Sequence, residues 1–83
     1  MYRVYNLIVE VAEEHNINTC RKLAKYLGIS QALVSSWSSG YRPITLEQAL
    51  NAANLLCIPE RDIVDAFVAD TKDRMRKNAS ASA

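Results

Sequence analysis

The sequence has little of what cross-links or interrupts a chain. Its 83 residues include two cysteines, two glycines and two prolines. Two cysteines are too few for a disulfide framework, and neither belongs to a C-x-x-C pair. With one histidine in the chain, a zinc-ligand set is not expected, and we predict no metal or other cofactor. Both cysteines are expected to be reduced and mostly buried, as in a cytoplasmic protein.

Long apolar runs are also absent. No uncharged stretch approaches the roughly 20 residues of a transmembrane helix, so we expect no membrane association. Charges interrupt the apolar N-terminal stretch, which lacks the cleavage site of a signal peptide. The hydrophobic and charged fractions, 49% and 23%, are ordinary for a globular domain. We predict one domain over residues 1–76 and a disordered tail over 77–83.

Signals of catalysis are missing as well. The sequence contains no glycine-rich phosphate loop, no nucleophile elbow and no suitably spaced carboxylate pair. Glu13 and Glu14 are adjacent, so on a helix their side chains do not face each other. We therefore predict that the protein is not an enzyme, and nothing in the sequence indicates a small-molecule ligand.

The charges are unevenly distributed along the chain, although the net charge is only +1. Residues 19–42 contain four basic residues and no acidic one, whereas residues 43–70 contain five acidic residues and one basic residue. A second basic segment covers residues 72–77. Segments of this kind are suited to a polyanion. The second basic segment fits two roles equally well: an arm that contacts the DNA backbone, or a helix end whose positive charges complement the helix dipole.

What the sequence does contain is apolar spacing with the period of a helix. Serine or threonine precedes three of the predicted helices, and Gly28 and Gly40 follow two of them, as helix caps often do. We predict an all-α fold, a bundle of five helices. Their predicted starts are near Val4, Cys20, Gln31, Leu46 and Pro59, and the fifth helix is predicted over residues 59–76.

The second and third predicted helices are short and are joined by only three residues, Gly28, Ile29 and Ser30. Two short helices with a tight glycine turn form the outline of a helix-turn-helix. Val34 and Trp37 are expected to face the core, so the other positions of the third helix face outward. Those positions carry small or amide side chains and no Lys or Glu, unlike an ordinary solvated helix. Such a face is suited to enter a groove.

The segment from Leu23 to Trp37, L-A-K-Y-L-G-I-S-Q-A-L-V-S-S-W, resembles the helix-turn-helix of the lambda-repressor-like (Cro/C1, or XRE) family. The predicted helices extend the resemblance over about residues 4–70. Members of this family are DNA-binding transcriptional regulators, typically homodimers, and many are phage repressors. The resemblance implies a phage or prophage repressor that binds a palindromic operator as a homodimer, in the cytoplasm of a bacterial or phage-infected cell.

The resemblance also implies which side chains contact DNA. Gln31 occupies the position where family repressors use a glutamine to hold an adenine through a bidentate amide pair. Cys20 stands where the best-known members have a second glutamine that braces the first, so the brace lacks its usual residue here. The predicted base contacts are Gln31, Ala32, Leu33, Ser35 and Ser36. The predicted phosphate contacts are Thr19, Arg21, Lys22, Ser39, Tyr41 and Arg42.

A two-fold dimer is expected because one recognition helix reads too few base pairs for high specificity. The fifth helix offers more apolar surface than one buried stripe requires. It is therefore the first candidate for the dimer interface, and Tyr2 with Tyr5 is the second. The predicted interface residues of the fifth helix are Ile63, Val64, Phe67 and Val68.

Other functions remain open at this point. DNA-binding antitoxins, transcription activators and excisionase-like accessory proteins use the same motif, and would differ in the role of the acidic residues 43–70. A protein-interaction adaptor built on the same bundle is the alternative outside DNA binding, and the uncharged face of the third helix argues against it. Arg21, Lys22 and Lys25 also fit an ordinary solvated helix face, and Gln31 also fits a favourable first-turn residue.

Overall fold

The computed structural model describes the backbone of residues 2–82 and the side chains of residues 2–77. This part of the chain contains five helices and no strand. The all-α, five-helix prediction is confirmed. Within that part, no helix is both long enough and apolar enough to cross a membrane. The helices are α1 (Arg3–Glu14), α2 (Cys20–Leu27), α3 (Gln31–Ser38), α4 (Leu46–Leu56) and α5 (Glu60–Ser82).

Local side-chain caps start α2, α3 and α4 where the sequence predicts them. The hydroxyls of Thr19, Ser30 and Thr45 each accept a hydrogen bond from the backbone N–H three residues later, at 3.1, 3.2 and 3.2 Å. The Gln48 side chain completes the predicted capping box by accepting from the Thr45 N–H at 3.0 Å. Each Ser or Thr cap contributes about 0.5–2 kcal/mol, so these bonds favour one starting residue for each helix.

The helix ends differ in how well the sequence predicts them. Gly28 ends α2 in the left-handed conformation, with φ of 71°, as expected for glycine. Cys57 ends α4 with φ of 58°, although it carries a side chain. The prediction that both cysteines are mostly buried is wrong for Cys57, which is exposed, while Cys20 is half-buried. Cys57 closes a helix at the surface and so does not reach the core.

The core lies where α1, α4 and α5 pack against one another and where α2 packs on α3 and α4. Val34 and Trp37 carry α3 into this core, as predicted, and are 0% and 1% exposed. The Trp37 indole Nε1 is buried with no hydrogen-bond partner among the described residues. The largest fully buried side chains are Val4, Ile8, Val34, Trp37, Leu56 and Ile63.

A carboxylate from α5 caps the N-terminus of α1. Tyr2 precedes α1 but makes no side-chain cap. Instead, Asp70 accepts hydrogen bonds from the backbone N–H groups of Arg3 and Val4, at 2.9 and 3.0 Å. Asp70 is the one buried charged side chain in the described part of the chain. The Arg3 side chain also pairs with Asp73 at 2.7 Å. The start of α1 is therefore fixed against the middle of α5.

The last helix is longer than predicted. The backbone of α5 is helical to Ser82, whereas the predicted fifth helix ended at residue 76. The predicted disordered tail over 77–83 lies, apart from Lys77, outside the residues whose side chains are described. Its last residue, Ala83, lies outside the described backbone as well.

Candidate nucleic-acid interface

The turn between α2 and α3 holds the two helices in close contact. Gly28 N–H donates to the Lys25 carbonyl at 3.3 Å, and Ile29 N–H donates to the Ala24 carbonyl at 3.0 Å. Ala24 is buried, 4% exposed, so its small side chain leaves room for the close packing of α3 against α2. Ile29 is partly buried against the core. The two turn bonds and the small Ala24 side chain therefore contribute to the direction in which α3 leaves α2.

The exposed face of α3 carries no charge. Of the predicted base contacts, Gln31, Ala32 and Ser35 are exposed, and Leu33 and Ser36 are half-buried. Leu33 packs in part against the core, which reduces the surface it offers to a partner. Gln31, Ala32 and Ser35 are thus the most accessible of the five predicted base contacts.

Two serines of this region already use their hydroxyl protons. Ser36 Oγ donates to the Leu33 carbonyl at 2.6 Å, and Ser39 Oγ donates to the Ser36 carbonyl at 3.2 Å. A hydroxyl has one proton and two lone pairs, so in this geometry both serines are left as acceptors. A phosphate offers only acceptors, so Ser39 must rotate its hydroxyl before it can bind one. The role predicted for Ser39 therefore requires a rearrangement.

The loop after α3 folds back beneath the helix. The backbone N–H groups of Tyr41 and Arg42 both donate to the Ser36 carbonyl, at 2.9 and 3.2 Å. Both side chains are exposed. The two side chains line an open cleft of about 440 Å³. The cleft is also lined by Ser30 and by three residues of α3, Ala32, Leu33 and Ser36. Two predicted phosphate contacts therefore lie beside three of the predicted base contacts.

The first turn of α2 supplies the other predicted phosphate contacts. Thr19, Arg21 and Lys22 are all exposed. The Thr19 oxygen accepts from Lys22 N–H, which leaves the hydroxyl proton available to a phosphate oxygen. No carboxylate of the described residues lies within ion-pair distance of Arg21, Lys22, Lys25 or Arg42. These cations therefore add to one another without local neutralisation.

Cys20 contacts α1. Its Sγ lies 3.9 Å from the Tyr5 hydroxyl, at the junction of α1 and α2. Tyr5 is buried, and this burial is the main reason why its pKa is raised above the ordinary tyrosine value. The hydroxyl is therefore neutral at physiological pH. Cys20 therefore connects α1 and α2 within the bundle.

The predicted dimer residues divide between the two faces of α5. Ile63 is 0% exposed, so the prediction that it forms a dimer contact is corrected: the chain's own core covers it completely. Val64 and Phe67 are half-buried, and Val68 is 42% exposed. Met75, which was not predicted, lies two turns further along and is 64% exposed. An apolar surface on α5 is therefore available to a partner without Ile63.

Of the second predicted dimer surface, only Tyr2 keeps exposed area. Tyr5 is only 7% exposed, so it belongs to the core. Tyr2 is half-buried, and its hydroxyl donates to the Gly40 carbonyl at 3.3 Å. The two tyrosines are therefore engaged within the chain, one by packing and the other by a contact with the residue that follows α3 and its cap.

Comparison with models of known protein families, with curated proteins and with solved structures finds no match. An uncharged helical face with an exposed amide can form directional hydrogen bonds, and the exposed cations that flank α3 along the chain can bind an anion. This combination is suited to bind a polyanion that also presents hydrogen-bond donors and acceptors.

Proposed function

We propose that this protein binds double-stranded DNA sequence-specifically through α3 and acts as a transcriptional repressor of the phage or prophage type. We also propose that it does so in the cytoplasm. One observation carries the proposal: the exposed face of α3 is free of charge and is flanked along the chain by exposed cations that have no carboxylate of the described residues within ion-pair distance. A helix that faces only water is usually rich in Lys and Glu. A helix that meets base edges needs small and amide side chains instead.

The dimensions of α3 support this role. A helix with its side chains is about 10–12 Å across, and the major groove of B-DNA is about 12 Å wide. Ala32 and Ser35 are small and exposed, so they allow a close approach to the bases. Gln31 lies in the first turn of α3, and its amide can form a bidentate pair with adenine N6 and N7. The accessible side chains that can contact bases therefore lie in the first half of α3 and just beyond it.

The flanking cations support binding to the DNA backbone. Arg21 and Lys22 project from the first turn of α2, and Arg42 projects from the loop that folds back under α3. Phosphate contacts fix the position of a protein on the duplex, whereas base contacts carry the specificity. Cations before and after an uncharged reading helix in the chain are suited to this division between phosphate and base contacts.

A homodimer on a palindromic operator completes the proposal. One α3 contacts a few base pairs, and two copies about 34 Å apart would read two half-sites separated by one turn of duplex. The exposed apolar side chains of α5, Val68 and Met75, are suited to the contact between copies. Sedimentation with a palindromic duplex is expected to give two chains per duplex. A saturated complex of one chain would contradict the dimer and leave DNA binding by α3 untouched.

Replacement of Gln31 tests the reading role. The wild-type protein first selects duplexes from a randomised pool, and both the selected and a scrambled duplex are then titrated. Gln31→Ala is expected to lower the discrimination between them by about 1–3 kcal/mol. Asn54→Ala, which removes an exposed amide on α4, is the matched control and should leave discrimination unchanged. If Gln31→Ala discriminates as well as the wild type, α3 does not read the bases through this residue.

A further inference from the structure

Three distant parts of the chain meet beside the C-terminal end of α3. Tyr2, at the start of α1, donates its hydroxyl to the carbonyl of Gly40, which follows the C-cap of α3. The second half of α5 lies against the same place. Together they line an open cleft of about 430 Å³. Its lining residues are Tyr2, Gly40, Asp70, Asp73, Arg74, Arg76 and Lys77.

The two carboxylates of this cleft are already engaged. Asp70 uses both oxygens to accept backbone N–H groups at the start of α1. Asp73 pairs with Arg3 at 2.7 Å and with Arg76 at 3.8 Å. The lining therefore carries three cations and two carboxylates, one of which, Asp73, is shared between Arg76 and Arg3. An anion that enters meets a net positive lining.

Two of the three cations, Arg74 and Lys77, form no ion pair in the described part of the chain. Arg74 donates to Thr71 Oγ1 at 3.3 Å, which occupies one of its five N–H donors. In the described part of the chain Lys77 has no carboxylate within ion-pair distance. Nor do these residues serve mainly as a helix end: α5 extends to Ser82 and its last turn carries no basic residue. The attraction to a helix dipole falls off within the last turn, so it does not account for the cluster.

The cleft adjoins the candidate nucleic-acid interface. Gly40 lines it, and the next two residues, Tyr41 and Arg42, line the cleft under α3. Residues 40–42 therefore join the two clefts, with Arg42 in one and Arg74, Arg76 and Lys77 in the other. A duplex carries one negative charge per about 1.7 Å of its axis, so a surface that continues past the reading helix meets further phosphates.

We propose that Arg74, Arg76 and Lys77 form a second backbone-binding surface, which binds phosphates of duplex DNA beyond the base pairs that α3 reads. This inference rests on the proposed function of α3. The duplex would then be held by three groups of cations: those at the start of α2, Arg42 in the loop after α3, and those in the second half of α5. The contacts are to phosphate, so they add affinity for every sequence.

Salt-dependent binding to a short random-sequence duplex tests the inference without knowledge of an operator. The variant Arg74→Gln/Arg76→Gln/Lys77→Gln is expected to bind the duplex more weakly than the wild type. Its slope of log affinity against log salt should be shallower by about 0.9 for each phosphate that is no longer neutralised, and so by up to about 2.7 for three phosphates. Lys77→Gln alone breaks no ion pair among the described residues, and it should make this slope shallower by about 0.9. Thermal unfolding verifies that each variant is folded.

Lys72→Gln is the matched control. Lys72 is an exposed lysine of the same helix, and it does not line the cleft, so its replacement removes the same charge outside the proposed surface. Its slope should equal that of the wild type. If Lys77→Gln and the triple variant also keep the wild-type slope while Gln31→Ala loses discrimination, this inference is wrong and the proposed function stands. If the wild type itself shows no salt-dependent binding, both are wrong.

Discussion

The first turns of α1 and α3 are stabilised in different ways. Ser30 caps α3 through a bond to a backbone N–H three residues away, and the α2–α3 turn is closed by equally short-range bonds. The start of α1 depends on Asp70, which is 67 positions from Arg3. The start of the candidate interface is therefore fixed by bonds within its own short segment, whereas the start of α1 is fixed only when α1 and α5 meet. Replacing the two caps should separate these two kinds of stabilisation.

Asp70→Ala is expected to have the largest effect. It leaves two backbone N–H groups at the start of α1 without their charged acceptor, in a buried place. A loss of about 2–4 kcal/mol in the free energy of unfolding follows, and urea denaturation measures it. Asp73→Ala is the control on the same helix. Its ion pair with Arg3 is half-exposed, so it should cost less than about 1 kcal/mol. Equal losses in the two variants would contradict the capping role of Asp70.

Ser30→Ala should have an intermediate effect. It removes the hydroxyl that accepts from Leu33 N–H at the start of α3, which costs about 1 kcal/mol of unfolding free energy. Ser35→Ala is the comparison, because this exposed serine lies inside α3, where alanine is the better helix former. That variant should be as stable as the wild type or slightly more stable in the same urea titration. A Ser30→Ala protein of unchanged stability would show that the local cap is not needed.

The smallest effect is expected at Tyr5, where α1 meets α2. Burial raises its pKa in the folded protein, so the unfolded chain loses the tyrosine proton first as the pH rises. The stabilisation by the neutral hydroxyl is therefore complete below about pH 10 and is lost above it. Between about pH 9 and pH 11 the unfolding free energy of Tyr5→Phe should fall less steeply than that of the wild type. Parallel pH profiles would contradict a buried, neutral Tyr5.

The contrast between the two regions also explains what the sequence could predict. The bounds of α2 match the prediction, and the starts of α3 and α4 follow from caps three residues away. The capping role of Asp70 could not be predicted, because no local pattern links residue 70 to the start of the chain. Likewise, the spacing of the α5 cations says nothing about Gly40, which they meet only in the folded bundle.

The candidate site was predictable to different degrees for the same reason. The inward positions of α3, Val34 and Trp37, follow from helical spacing in a short helix, so the exposed face follows as well. In α5 the apolar residues surround more of the helix, and spacing alone did not indicate which stripe meets the core. Ile63 proved to be core, whereas Val68 is exposed. The packing of α1 and α4 against α5 decides between the stripes.

The salt dependence of binding to random-sequence duplex DNA tests the central claim most directly. For the wild type, log affinity should fall linearly with log salt. Arg21→Ala/Lys22→Ala/Arg42→Ala should bind every sequence more weakly, with a slope shallower by about 0.9 for each phosphate that the variant no longer binds. No association of the wild type with duplex at low salt, or an unchanged slope in the triple variant, would contradict a DNA-binding surface built around α3.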